Sequence, residues 1–242
     1  MFAKPLLSAA KLLAVMAVFS TAHAGIVIGG TRIVYPSNQK TVTVQVKNQG
    51  NNPALMQTWI DNGNADLAPD EIDVPFSVMP PVSRIDSKVG QNINISYLGG
   101  NLAEDRESIF WLNVLDIPAM PNKSDIDENS AVMQIAVRSR IKLFYRPAHL
   151  EKDAEYAADK IVWQVVANQL IIKNPTAYYM NISSIDLELE NDNKKEILTE
   201  GAMIEPFSEQ HFPIENVHFK KFKANMINDF GGIYSLEVNQ GN

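Results

Sequence analysis

Met133-Gln134-Ile135-Ala136-Val137-Arg138, running on into Ser139-Arg140-Ile141-Lys142-Leu143-Phe144-Tyr145-Arg146-Pro147, is the stretch that decides the fold. Taken as one unit it predicts a long β-strand. Its first half alternates apolar and polar residues, and its second half carries a lysine among large hydrophobes. It stops at a proline, which has no N–H to give to a sheet ladder. A strand this long belongs either in the middle of a sheet or at an edge whose missing neighbour comes from elsewhere. Met133, Ile135 and Val137 share one face of a regular pleat, and Lys142 falls on the opposite face. Periodicity alone favours a stripe that fills its own domain's core. The sharper alternative is an edge that offers unpaired N–H and C=O groups, together with those side chains, to a groove on a partner.

The flanking sequence predicts strands and turns almost throughout. Residues 26–28 and 32–35 are short β-rich runs on either side of Gly29-Gly30. Residues 41–47 alternate with period two, valines inward. Further strands are expected at 55–60, 72–78, 93–97 and 109–115, with Pro80-Pro81 and Pro118 as stops. Their spacing of about 8–12 residues, with turn residues between them, suggests a β-sandwich. Residues 147–160 carry charges and alanines but no β pattern, and read as an interdomain connection. Beyond them, strands at 161–166, 170–173, 178–190, 196–199, 210–214 and 233–238 form a second, smaller sandwich. The expected organisation is a leader at 1–24, a first domain at 25–146, a linker at 147–160 and a second domain at 161–242. The fold class is all-β.

The leader has the parts of a secretory signal: Lys4 and Lys11, an apolar core at 12–22, and the small-x-small triplet Ala22-His23-Ala24, with cleavage expected after Ala24. The apolar run after Lys11 falls short of the ~20 residues that span a bilayer. Export without membrane insertion follows. Losing two lysines takes the net charge from −7 to −9 over 218 residues. An acidic chain of this kind argues against nucleic acid as a partner.

The inventory also sets aside catalysis. No cysteine is present, so thiol chemistry and cysteine metal sites are excluded. His23 leaves with the leader, and His149, His211 and His218 are scattered. No Gly-x-Ser-x-Gly elbow, His-Glu-x-x-His pair or phosphate-cradling glycine loop occurs. The acidic residues at 119–130 (Asp125, Asp127, Glu128) read as solvated charge. No enzyme activity, metal or cofactor is expected.

Leu102-Ala103-Glu104-Asp105-Arg106-Glu107-Ser108-Ile109-Phe110-Trp111-Leu112-Asn113-Val114-Leu115-Asp116-Ile117-Pro118 resembles the signature of periplasmic pilus-assembly chaperones of the chaperone–usher type. Five further blocks resemble that family in the same order: Thr31-Arg32-Ile33-Val34-Tyr35-Pro36, Pro80-Pro81-Val82-Ser83-Arg84, residues 141–147, Asn174-Pro175-Thr176-Ala177-Tyr178-Tyr179 and Ile227-Asn228-Asp229-Phe230-Gly231-Gly232. The short 119–130 loop and the lack of cysteine resemble the short-loop (FGS-type) branch.

The resemblance implies two immunoglobulin-like sandwiches set at an angle with a cleft between them. It implies a protein that binds, folds and caps fimbrial subunits by donor-strand complementation and hands them to an outer-membrane usher. By motif position, Arg32 and Lys142 would grip a subunit's C-terminal carboxylate, and Met133, Ile135 and Val137 would be the donor strand. Glu107, Arg146 and Asp229 would form an interdomain charge cluster. An open edge also admits self-association of the free form. The competing class is an exported two-domain fimbrial subunit or adhesin, which would itself lack a strand and usually carry a cysteine pair.

Overall fold

The computed structural model describes residues 25–120, 133–189, 193–214 and 219–239. The leader with its cleavage site, most of the acidic 119–130 loop and His218 lie outside the described residues.

The N-terminal domain contains nine strands: β1 (Ile26–Ile28), β2 (Arg32–Pro36), β3 (Thr41–Asn48), β4 (Ala54–Asp61), β5 (Phe76–Met79), β6 (Val82–Ile85), β7 (Gly90–Tyr97), β8 (Ser108–Pro118) and β9 (Val137–Arg146). They form two sheets, one ordered β1-β3-β7-β5 and the other β2-β9-β8-β4-β6. The alternation seen in the sequence is the inward face. Val44 and Val46, Ile93 and Ile95, Leu112 and Val114, and Leu143 are all buried between the sheets. Tyr35, Phe76, Tyr97, Phe110 and Tyr145 close one end of this core as a ring cluster, with centroids 4.7 to 6.1 Å apart. Edge-on and tilted ring packing of this kind adds to simple area burial.

The chain changes sheets at Gly29-Gly30. β1 pairs with β3, whereas β2 runs parallel to β9. At Gly29 a side chain would meet the Gln45 carbonyl at 3.1 Å, so the crossing favours glycine.

Two short 3-10 turns, Ala148–Tyr156 and Ala158–Lys160, fill the connection. The second domain contains β10 (Val162–Val166), β11 (Gln169–Asn174), β12 (Met180–Leu189), β13 (Lys194–Leu198), β14 (Ala202–Ile204), β15 (Ser208–Pro213), β16 (Phe219–Ile227) and β17 (Ile233–Asn239). One sheet runs β10-β11-β15. The other runs β13-β12-β16-β17, with β14 also on β12. Trp163, Leu170, Ile172, Ile182, Ile185, Phe222 and Met226 are buried between them. The architecture is two immunoglobulin-like sandwiches. No helix among the described residues is long and apolar enough to cross a membrane.

Three strand expectations need correction. The long strand begins at Val137, and residues 133–136 lie outside any strand. Its ladder to β8 ends at the Asp116–Val137 pair. Continuing that register would put Ile135 opposite Pro118, which has no N–H to offer, and among the described residues no strand flanks the other side. Gln134 instead donates its side-chain amide to the Pro118 carbonyl. The strand expected at 72–78 starts only at Phe76, just after Pro75. Three strands, β6, β14 and β16, were not foreseen, and β16 is central to its sheet.

Candidate functional site

The register of β9 divides it in two. Residues 142–145 lie between β8 on one side and β2 on the other, with Arg32 opposite Lys142, and Arg146 continues the β2 side opposite Pro36. Residues 137–141 pair only with β8. Among the described residues no strand covers their other edge. This strand is therefore central in one half and an open edge in the other.

Alternation sets what each half shows. Leu143 and Tyr145 enter the domain's own core, while Lys142, Phe144 and Arg146 point out of it toward the second domain. Val137, on the parity of Leu143, is 56% exposed; Ile135 and Met133 before it are 65% and 85% exposed. Three consecutive odd-numbered hydrophobes thus stand in water beside a bare sheet edge. They are not part of the core.

Arg32 and Lys142 stand side by side on neighbouring parallel strands at the interdomain cleft. Lys142 Nζ donates to Asn181 Oδ1 at 2.6 Å, and Arg32 Nη1 donates to the Ile227 carbonyl at 3.2 Å. The Nε of Arg32 is buried without a hydrogen-bond partner. Neither cation forms an ion pair among the described residues. Burial pushes the Lys142 ammonium below its ordinary value, and the charge of Arg32 beside it adds to that. Burial also lowers Arg32, with Asp229 opposing. A pocket of about 400 Å³ opens next to Lys142, bounded by Asn181, Ser183, Thr199, Glu200 and Ile227. Two desolvated cations with spare donors make a site for an anion. A carboxylate suits it because the guanidinium can bind in a fork.

Glu107, Arg146 and Asp229 meet in one network behind this pair. Arg146 Nε donates to Glu107 Oε1 at 2.7 Å, and its Nη1 and Nη2 donate to the two oxygens of Asp229 at 2.7 and 3.0 Å. Glu107 and Arg146 are buried, whereas Asp229 is partly open. Burial works against the charge on Arg146, but the two carboxylates outweigh it and hold the guanidinium protonated. Burial pushes the Glu107 carboxyl up against the pull of Arg146 and of the Tyr179 N–H, which donates to Oε2 at 2.8 Å. The backbone joins in: the Glu107 N–H donates to the Ala177 carbonyl at 2.9 Å. The Asn174-Pro175-Thr176 turn is fixed by Asn174, whose side chain donates to the Tyr178 and Glu205 carbonyls and accepts from Thr176. That turn aims Tyr178, Tyr179 and Asn181 at the first domain. Asn181 and the Tyr179 N–H were missed from the sequence because their roles depend on what the other domain presents.

Comparison with known proteins bears on this geometry. Residues 25–151 match the family described as pili and flagellar-assembly chaperone, PapD N-terminal domain. Residues 156–238 match pili assembly chaperone PapD, C-terminal domain. The chain belongs to the PapD family of pilus-assembly chaperones. Its similarity to individual members is high along its length. It is 42% identical over 226 residues to the probable fimbrial chaperone YadV of Escherichia coli K12, covering 90% of each chain. It is 41% identical over 234 residues to the chaperone protein HifB of Haemophilus influenzae, covering 96% of this chain and 94% of that one. Among solved structures, the YadV chaperone superposes with a TM-score of 0.73 at 39% identity, covering 89% of this chain and 100% of that one. The Pseudomonas aeruginosa CupB2 chaperone gives 0.72 at 33%, covering 88% and 100%. Among the described residues no group of His, Asp and Glu side chains is placed to hold a metal ion.

Proposed function

We propose that this chain is a periplasmic chaperone for fimbrial subunits. It captures a subunit that lacks a strand, supplies that strand from the open half of β9 and the residues before it, and delivers the subunit to an outer-membrane usher. One observation carries the reading: a sheet edge that no strand covers among the described residues, preceded by the exposed Met133, Ile135 and Val137, runs directly into Arg32 and Lys142, which form no ion pair among the described residues. Strand addition is a general recognition mode in which backbone hydrogen bonds supply affinity and alternate side chains supply register. A subunit's C-terminal carboxylate satisfies the two cations, and its open apolar groove takes the three hydrophobes. Glu107, Arg146 and Asp229 hold the cleft angle; a buried network of this kind contributes geometry more than net stability. Export uses a leader that is cleaved after Ala24, and the absence of cysteine agrees with the short-loop branch. No cofactor takes part.

The test is co-purification from periplasm. Wild-type protein is expected to bring down a small subunit stoichiometrically, and Arg32→Ala or Lys142→Ala to lose it while remaining folded. Subunit complex at wild-type levels in both variants refutes the cleft assignment.

A further inference from the structure

A second polar cluster lies away from the cleft, on the outward face of the β4-β8-β9 sheet beside the uncovered half of β9. Its centre is Asp61, the last residue of β4, whose side chain is 0% exposed. Arg140 grips it in a fork, with Nε 2.9 Å from Oδ2 and Nη2 2.5 Å from Oδ1. Asn113 Nδ2 donates to Oδ2 at 2.7 Å, and the Gly63 N–H donates to Oδ1 at 2.7 Å. Arg138 Nη2 lies 3.6 Å from Oδ2; its Nε donates to Asn113 Oδ1 at 2.8 Å and its Nη1 to the Ala65 carbonyl at 2.7 Å. The two guanidiniums also cover rings: Arg138 over Trp59 at 4.9 Å and Arg140 over Trp111 at 4.6 Å.

The register explains the reach of this cluster. Asn113 of β8 is opposite both Arg140 of β9 and Trp59 of β4, and Trp111 of β8 is opposite Asp61. Asp61 therefore ties β9 to β4 across the strand between them. It does so at Arg138 and Arg140, the two outward residues of the segment that has a ladder on one side only. A strand half with one neighbour has lost half its possible ladder bonds, and such edges fray first. A fork, a bridging amide and two ring contacts on its face offset that loss. Burial penalises the Asp61 charge, yet the bonds from Arg140, Asn113 and Gly63 outweigh it and hold the carboxyl below its ordinary range.

We infer that Asp61 is a positioning residue for strand donation: through Arg138 and Arg140 it holds the uncovered half of β9 extended and flat against β8 before any subunit arrives. The inference rests on the strand-donation reading and deepens it. An edge ordered in advance spares the encounter the entropy of ordering it, so capture gains in rate.

The test has two arms. In the free protein, amide hydrogen exchange is followed by mass spectrometry in wild type, Asp61→Asn and Arg140→Lys, the last keeping the charge but losing the fork. Asp61→Asn is expected to speed exchange across residues 137–141 about tenfold while residues 142–146 stay within about twofold, with Arg140→Lys intermediate. In the second arm, association is timed with a fimbrial subunit from the same cells, held unfolded in urea and diluted into chaperone. Asp61→Asn is expected to slow capture about fivefold or more. Unchanged exchange at 137–141 overturns the inference, as does acceleration spread evenly over the domain or localised acceleration with wild-type capture. If wild type captures no subunit, the functional reading fails instead, and the exchange arm still decides whether Asp61 orders the edge.

Discussion

Alanine at Met133, Ile135 and Val137 together separates a donor stripe from a core stripe by magnitude. Burying one such side chain completely stabilises by about 1.5–3 kcal/mol. Here the free protein already leaves 85%, 65% and 56% of these residues in water, so that fraction is what capture has left to bury. Scaling gives roughly 1.3–2.6, 1–2 and 0.8–1.7 kcal/mol, or about 3–6 kcal/mol for the row. Alanine retains Cβ and part of that area, so the triple variant is expected to lose about 2–4 kcal/mol, a factor of ~30 to 1,000 in affinity. The single change Ile135→Ala should lose about threefold to tenfold. The free protein's stability should stay within about 0.5 kcal/mol, because none of the three fills its core. The assay pairs a titration of subunit complex, by calorimetry or competition, with thermal unfolding of the free chain. Affinity within twofold of wild type refutes the reasoning, and so does an unfolding penalty near the ~2 kcal/mol or more of a truncated core residue.

Three further outcomes follow from the cleft. The Lys142 ammonium is held below 10.5 in the free protein and rises when an anion binds, so affinity for a carboxylate-terminated subunit is full below the free-protein value and declines as pH rises through it; a binding titration across alkaline pH should show the decline, absent in Lys142→Met. Asp229→Asn leaves Arg146 with Glu107 but removes the charged fork to the second domain, and should cost about 1–2 kcal/mol, with a broader interdomain distribution by small-angle scattering. Gly231 has φ +81° and a side chain there would begin 2.2 Å from Thr31 Oγ1, so Gly231→Val should separate Thr31 and Arg32 from the second domain, lowering both unfolding temperature and subunit capture.

Most of the strand map was legible because burial follows period two: Thr41–Asn48 and Gly90–Tyr97 bury every second residue, as their patterns predict. β16 escaped because Lys220, Lys221 and Lys223 mask its stripe. Yet Phe222, Ala224 and Met226 alternate correctly, and the register shifts between Glu188 and Leu189 of its partner, where Lys220 is accommodated. β14, three residues long, carries too little pattern to find. For the site, the motif blocks named Arg32, Lys142, Glu107, Arg146 and Asp229, but spacing alone brings none of them together, since Arg146 and Asp229 are 83 residues apart. Asp61 had no signal at all. A carboxylate at a strand end followed by Asn-Gly reads as turn chemistry, and only the sheet order shows that two arginines converge on it.

The opposed faces of Lys142 and the hydrophobic row have a consequence for how a strand-donating chaperone sets register. With side-chain period two, a slip of one residue would exchange Met133, Ile135 and Val137 for Gln134, Ala136 and Arg138, placing a charge where a groove expects an aliphatic group. Backbone pairing by itself does not fix the register, because an extended edge offers equivalent hydrogen bonds at every second residue. A fixed point is needed, and it must not occupy the face that enters the groove. Lys142 and its neighbour Arg32 meet both conditions. Lys142 lies five residues from Val137, about 16 Å along an extended strand, and both cations project toward the second domain while Val137 has the opposite parity. On the proposed reading, a carboxylate held at the cations fixes the position of every residue upstream of it. The cation pair then selects among registers that the apolar row alone would discriminate by only a few kcal/mol.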